Sequence, residues 1–154
     1  DIRDHAAAAR AVEDCVAVVH CAAIVGPERA RRAPLAAVAV NVDATAALLD
    51  AAHRRGARLL VMSTATLYGH REDLQPLDEA GPTSPLGIYD ATKLMAETYC
   101  TAHRRAYGSD VASFRTGFVY GRGHGHFEKT WRIVLQTRAM AAASAKGAVD
   151  PAPR

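Results

Sequence analysis

Tyr89 and Lys93 stand four apart in the segment Tyr89-Asp90-Ala91-Thr92-Lys93. On a helix that spacing puts both side chains on one face, one turn from each other. A free tyrosine, with a pKa of about 10, is a poor base near neutral pH. An ammonium beside it stabilises the phenolate and lowers that value, and a cationic ring would act the same way. Tyr89 could then exchange a proton with a substrate hydroxyl while hydride moves at the same carbon. Thr64 follows an apolar run and offers a hydroxyl able to orient the same substrate oxygen. The spacing alone occurs by chance on many solvated helix faces. The elements that must carry these residues therefore decide between chance and chemistry.

Those elements alternate. Residues 5–14 read as a short helix. Val16 to Ala22 is a continuous apolar run, valine-rich and too short for a good helix, as suits a strand buried in a parallel sheet. The stretch GPERARR reads as a polar, solvated loop. Pro34 opens a helix whose Leu35, Val38, Val42, Thr45, Leu49 and Ala52 recur three and four apart, with Gly56 as its stop. Leu59 to Met62 is a second strand, ending in Ser63-Thr64. Ser84-Pro85 signals the start of the helix that carries Tyr89 and runs to Tyr107, before Gly108. Val111 to Thr116 is a third strand, followed by a loop with Gly117, Gly121, Gly123 and Gly125. Residues 127–138 suit one more helix, and 139–154 are low in complexity. The alternation argues for an α/β fold with a parallel sheet and helices on both faces.

In open α/β sheets, ligands bind beyond the carboxyl ends of the strands. Cys21-Ala22-Ala23, Ser63-Thr64-Ala65 and the segment from Gly117 to Gly125 fall there. The small residues of the first let a flat cofactor approach the backbone. The 154 residues, 49% hydrophobic, allow one domain with a real core. A formal net charge of +3 gives no concentrated basic stripe, which argues against a nucleic-acid partner. No stretch approaches the roughly 18 apolar residues of a membrane helix. Three cysteines without metal-ligand spacing read as free thiols, Cys15 and Cys21 as buried ones, in a reducing cytoplasm. His124 and His126 read as solvated or substrate-facing loop residues, so no metal site is expected.

The matching stretches, taken in order, resemble the extended short-chain dehydrogenase/reductase family, the NAD-dependent epimerase/dehydratase group. Asp1-Ile2-Arg3-Asp4 is similar to the family's Asp-Ile pair beside adenine, and Val18 to Ala23 to its fourth strand with an Ala-rich end. Asn41-Val42-Asp43-Ala44-Thr45 resembles Asn-Val-x-Gly-Thr, with Ala44 in the glycine's place. Met62 to Gly69 resembles the Ser-Ser/Thr segment. Glu79, Pro82 and Pro85 precede Tyr89 to Lys93 as in the family pattern, and Phe114-Arg115 with Val119-Tyr120-Gly121 resembles the strand and loop leading to substrate. The resemblance spans residues 1 to about 125.

It implies an incomplete Rossmann-like, doubly wound parallel sheet: a partial dinucleotide-binding domain over 1–126, then a helix and low-complexity tail over 127–154. Tyr89 would be the acid/base, Lys93 would hold the ribose hydroxyls and tune Tyr89, and Thr64 would complete the trio. Asn41, Cys21, Ala22 and Ala23 would line NAD or NADP, and Asp1 and Ile2 would flank adenine. The family's first strands, glycine-rich phosphate loop and C-terminal substrate domain find no counterpart, so the chain reads as an internal fragment or truncated product that binds NAD poorly. Phe118 stands where many sugar-nucleotide members have asparagine. Ala65 and Thr66 replace the Asp-Glu pair of the family's 4,6-dehydratases. That favours a nucleotide-sugar 4-epimerase, with a reductase or dehydrogenase of a hydroxyl or ketone substrate as the alternative. A homodimer through the long helices, common in the family, is a further expectation.

Overall fold

The structure is a computed structural model, and it describes residues 1–70, 76–117 and 119. The expected helix over 127–138, the tail, Phe118, and the loop with Tyr120, His124 and His126 lie outside the described residues.

Three strands form one parallel sheet in the order β1 (Ala17–His20), β2 (Arg58–Thr64), β3 (Val111–Thr116). Val18 lies beside Leu59, and Leu59 beside Val111. β1 and β2 are joined through helix α4 (Ala44–Arg54), and β2 and β3 through the long α5 (Ile88–Tyr107). Both are crossovers between neighbouring parallel strands, which are right-handed almost without exception, so both helices fall on the same side. Leu48, Leu49 and Ala52 of α4 and Cys100 of α5 form one core with Leu59, Val61 and Val111. Ala8 and Val12, from the short helix α1 (His5–Ala11) and its end, close that core. The sequence led to helices on both faces. Within the described residues α4 and α5 cover one face, and Val19 and Phe114 on the other are exposed. The incomplete Rossmann-like parallel sheet itself is as expected.

Two stretches differ from their sequence reading. The polar segment after Gly26 is a helix, α2 (Pro27–Arg32), not a loop. Proline at its first position and Glu28, paired with Arg31 and Arg32, stabilise it, and its single buried residue is Ala30. The helix carrying Tyr89 begins at Ile88 rather than at Ser84. Ser84 is held outside it, its N–H donating to the Leu67 carbonyl at 2.8 Å.

From Pro34 the chain is helical to Arg54, but not regularly. α3 (Pro34–Val38) passes through a π turn (Ala39–Asp43) into α4. The wide turn shifts the phase of the stripe. Leu35 is 83% exposed, whereas Ala37, Asn41, Ala44 and Thr45 are buried. By length and composition Pro34–Arg54 is apolar enough to cross a membrane, with mean hydropathy 1.5, which corrects the expectation that no stretch approaches this. Alanine and valine on either side of Asn41 raise the average. In this fold the segment is the core helix beside the sheet.

Candidate active site

β2 delivers Thr64 to its carboxyl end, where a short 3-10 turn (Ala65–Tyr68) begins. Thr64 caps that turn by accepting from the Thr66 N–H at 3.2 Å. α5 begins just opposite, and its first turns bring Tyr89, Asp90 and Lys93 to the same strand end. Lys93 is buried, and its Nζ donates to the Met62 carbonyl at 2.8 Å. Tyr89 is half-buried beside the Thr64 hydroxyl. The structure thus brings Thr64, Tyr89 and Lys93 together.

The electrostatics differ from the sequence reading. Burial, and then the neighbouring Asp90 carboxylate, hold the Tyr89 phenol above its ordinary range. The Lys93 ammonium is turned to a carbonyl of β2 instead of to the phenol. Burial pushes Lys93 itself below the usual lysine range, and Cys21 partly opposes this. Desolvation outweighs the attraction expected from a lysine one helical turn away.

Asn41 was expected to line a cofactor. Its side chain is 1% exposed. Its Oδ1 accepts from the Ile24 N–H at 2.8 Å, and its Nδ2 donates to the Ile24 carbonyl at 3.2 Å and to Thr92 Oγ1 at 2.9 Å. Thr92 in turn donates to the Tyr89 carbonyl at 2.8 Å. Asn41 therefore ties the segment after β1 to the first turns of α5, and it acts on the site through the backbone it holds. Beneath it, Thr45 Oγ1 donates to the Asn41 carbonyl at 2.8 Å, so its hydrogen is committed. His20 Nε2, 3.0 Å from the same oxygen, must then be the N–H donor, which fixes its tautomer.

Cys21 and Ala22 are exposed at the end of β1 and Ala23 is half-buried. Cys21 is thus not the buried thiol expected, because the strand ends one residue before it; Cys15 is intermediate and Cys100 is buried. Asp1 and Ile2 take no part in the hydrogen bonds around Thr64 and Lys93. The Asp1 carboxylate pairs with Arg3, and Ile2 packs against the core.

Sequence reasoning missed two groups. Arg115 on β3 and Glu97 on α5 form a largely buried bidentate pair, 2.6 Å at its shortest, and Ser63 Oγ donates to the same carboxylate. Arg115 also donates to the Tyr68 hydroxyl at 2.8 Å and the Glu79 carbonyl at 3.2 Å, and its guanidinium lies over the Tyr68 ring. This network holds the turn after Thr64. The second group is Thr66 and Asp90, linked at 2.5 Å. Asp90 adjoins Tyr89 in sequence, which was the available signal. The Glu97–Arg115 pair carried none. Among the described residues no cluster of three metal-ligating side chains occurs.

A family model described as the NAD dependent epimerase/dehydratase family matches residues 1–151. The chain belongs to this family. Among curated members, it is 32% identical over 109 residues to UDP-glucuronic acid decarboxylase 1 of Danio rerio, covering 68% of this chain and 26% of that one. It is 34% identical over 131 residues to dTDP-glucose 4,6-dehydratase of Mycobacterium tuberculosis, covering 84% and 39%. Among solved members, the NAD complex of UDP-glucose 4-epimerase from Thermus thermophilus superposes with a TM-score of 0.76 at 28% identity, over 82% of this chain and 42% of that one. The chain thus spans well under half the length of these epimerase/dehydratase relatives.

Proposed function

We propose that this chain carries the catalytic segment of an NAD(P)-dependent nucleoside-diphosphate-sugar epimerase. The observation that carries the reading is the meeting of Thr64, Tyr89 and Lys93 at the carboxyl end of β2. NAD or NADP, when bound, would supply the hydride chemistry. The residues present fit such a group: the end of β1 offers Cys21, Ala22 and Ala23 without a bulky side chain, and the ammonium of Lys93 reaches the same strand ends. Lys93 would hold the ribose hydroxyls. Tyr89 would take the proton from the sugar hydroxyl and return it from its phenol oxygen, with Thr64 orienting that hydroxyl. Asp1 and Ile2 would flank adenine.

Ala65 and Thr66 follow Thr64, so no acid stands there to eliminate water, and reversible hydride transfer remains. A reductase would use the same three residues, and product analysis separates the two. With UDP-galactose and NAD, an epimerase yields the isomeric sugar nucleotide with no net nicotinamide absorbance change. In a full-length version of the protein, Tyr89→Phe is expected to abolish turnover while NAD binding persists. Turnover surviving that change would overturn the acid/base assignment.

We also infer a homodimer in the cytoplasm, formed through the outer face of α5. Val42, Leu94, Met95 and Tyr99 line an apolar cavity of about 640 Å³ there. Met95→Glu is expected to give monomers by light scattering, and an unchanged mass would refute this interface.

A further inference from the structure

Thr66 Oγ1 donates to Asp90 Oδ1 at 2.5 Å and lies 2.9 Å from Thr64 Oγ1. A carboxylate can only accept, and a threonine hydroxyl has one hydrogen. With that hydrogen on Asp90, Thr66 can only accept from Thr64. Thr64 therefore donates inward, away from the substrate side. One of its lone pairs takes the Thr66 N–H, and the other remains for the oxygen that Tyr89 serves. We propose that Asp90, acting through Thr66, fixes the direction of the Thr64 hydroxyl, so that Thr64 meets the substrate or Tyr89 only as a hydrogen-bond acceptor. This rests on the acid/base reading above.

The arrangement has a chemical consequence. An acceptor can seat a sugar hydroxyl by its hydrogen only until that hydrogen turns to Tyr89, and it has nothing to offer a carbonyl oxygen. The carbonyl form would then be held by the Tyr89 hydrogen alone. The phenolate form of Tyr89 is also denied the Thr64 hydrogen, so the relay and the Asp90 charge both make the phenolate costlier to form and a stronger base once formed. Asp90 is in this sense a positioning residue.

Asp90 also sits in the first turn of α5, where an acid stabilises the helix by charge alone. The two roles separate at Thr66. Among the described residues, the titratable group that bears on Tyr89 is Asp90; Lys93, one turn along α5, is coupled instead to Cys21 and His20 from β1 and its end. Glu97, a turn beyond Lys93, is neutralised by Arg115.

The test uses the whole chain with carbon-13 tyrosine labelling. It has five tyrosines, and Tyr89→Phe assigns the signal. Thr66→Val frees the Thr64 hydrogen while leaving the Asp90 charge in place. The Tyr89 titration midpoint should fall by about one to two pH units, the size of one hydrogen bond to the phenolate. Thr66→Ser keeps the relay and should leave the midpoint where it was. A midpoint that drops in Asp90→Asn but not in Thr66→Val would show a direct charge effect and overturn the proposal. The Tyr89 Cζ chemical shift at neutral pH gives a second reading for any variant that unfolds in alkali: it should move in Thr66→Val and not in Thr66→Ser, and no movement in either overturns the proposal. None of these readings requires turnover, so a failure to convert sugar nucleotides would count against the proposed function alone.

Discussion

Glu97→Ala should be among the most damaging single changes in the chain. It removes the acceptor from Arg115 Nε and Nη2 and from Ser63 Oγ at once. Arg115 keeps its bonds to Tyr68 and Glu79, so its charge stays in place without its counter-ion. Removing one partner of a buried pair costs about 3–5 kcal/mol. Both side chains are 15% exposed, so some water reaches the orphaned guanidinium and the loss falls near the lower end, about 3 kcal/mol. Glu97→Gln keeps an acceptor and the shape but also removes the counter-ion, and should cost less than Glu97→Ala, about 2 kcal/mol. Arg31→Ala breaks an ion pair whose partners are 72% and 55% exposed and should cost under about 0.5 kcal/mol. The assay is urea unfolding followed by circular dichroism at neutral pH, with a common slope for the three variants. At a typical slope, Glu97→Ala moves the midpoint by about 1–3 M. A loss below about 1 kcal/mol, close to that of Arg31→Ala, would mean that solvent screens the pair, and the argument for a buried network would fall.

Two further outcomes follow from the titrating groups. Burial, then the Lys93 charge, holds the His20 imidazole below its ordinary 6.5. The unfolded chain therefore binds this proton first as pH falls. The His20 contribution is full above about 6.5 and is lost as pH drops toward the folded value. His20→Gln should flatten the dependence of the urea midpoint on pH in that window, and an unaltered slope would contradict the assignment. Burial pushes the Cys100 thiol up to about 11, whereas Cys21 is exposed. A thiol reagent should label Cys21 fast and Cys100 only on unfolding, as peptide mapping would show.

Strands were legible where valine and leucine run together, and so was the helix carrying Tyr89, apart from its first turn. Ser84-Pro85 has the residues of a helix start, but the Leu67 carbonyl takes the Ser84 N–H into a tertiary bond. α2 was hidden by its charges: five of its six residues are solvated, and one alanine holds it to the fold. The order of Thr64, Tyr89 and Lys93 along the chain, and the elements that carry them, could be read from the sequence. What could not be read is what depends on distance in sequence. Glu97 and Arg115 are 18 apart and Thr66 and Asp90 are 24 apart, with no periodicity to relate them. Asn41 could be located from its motif, but whether it faces a ligand or the core depends on the π turn around it.

That turn constrains which lengths of this segment can exist. A residue advances a helix by about 100°. Deleting one residue between Ala39 and Asp43 would give a smoother helix and better backbone bonds. It would also rotate everything before it by that angle relative to α4. With Leu48, Leu49 and Ala52 keyed into the sheet, Asn41 would swing off Ile24 and Thr92, and the segment after β1 would come loose from the base of Tyr89. The local irregularity thus acts as a length gauge. Homologous chains should rarely lack a single residue here, although the missing residue need be nowhere near a reacting atom.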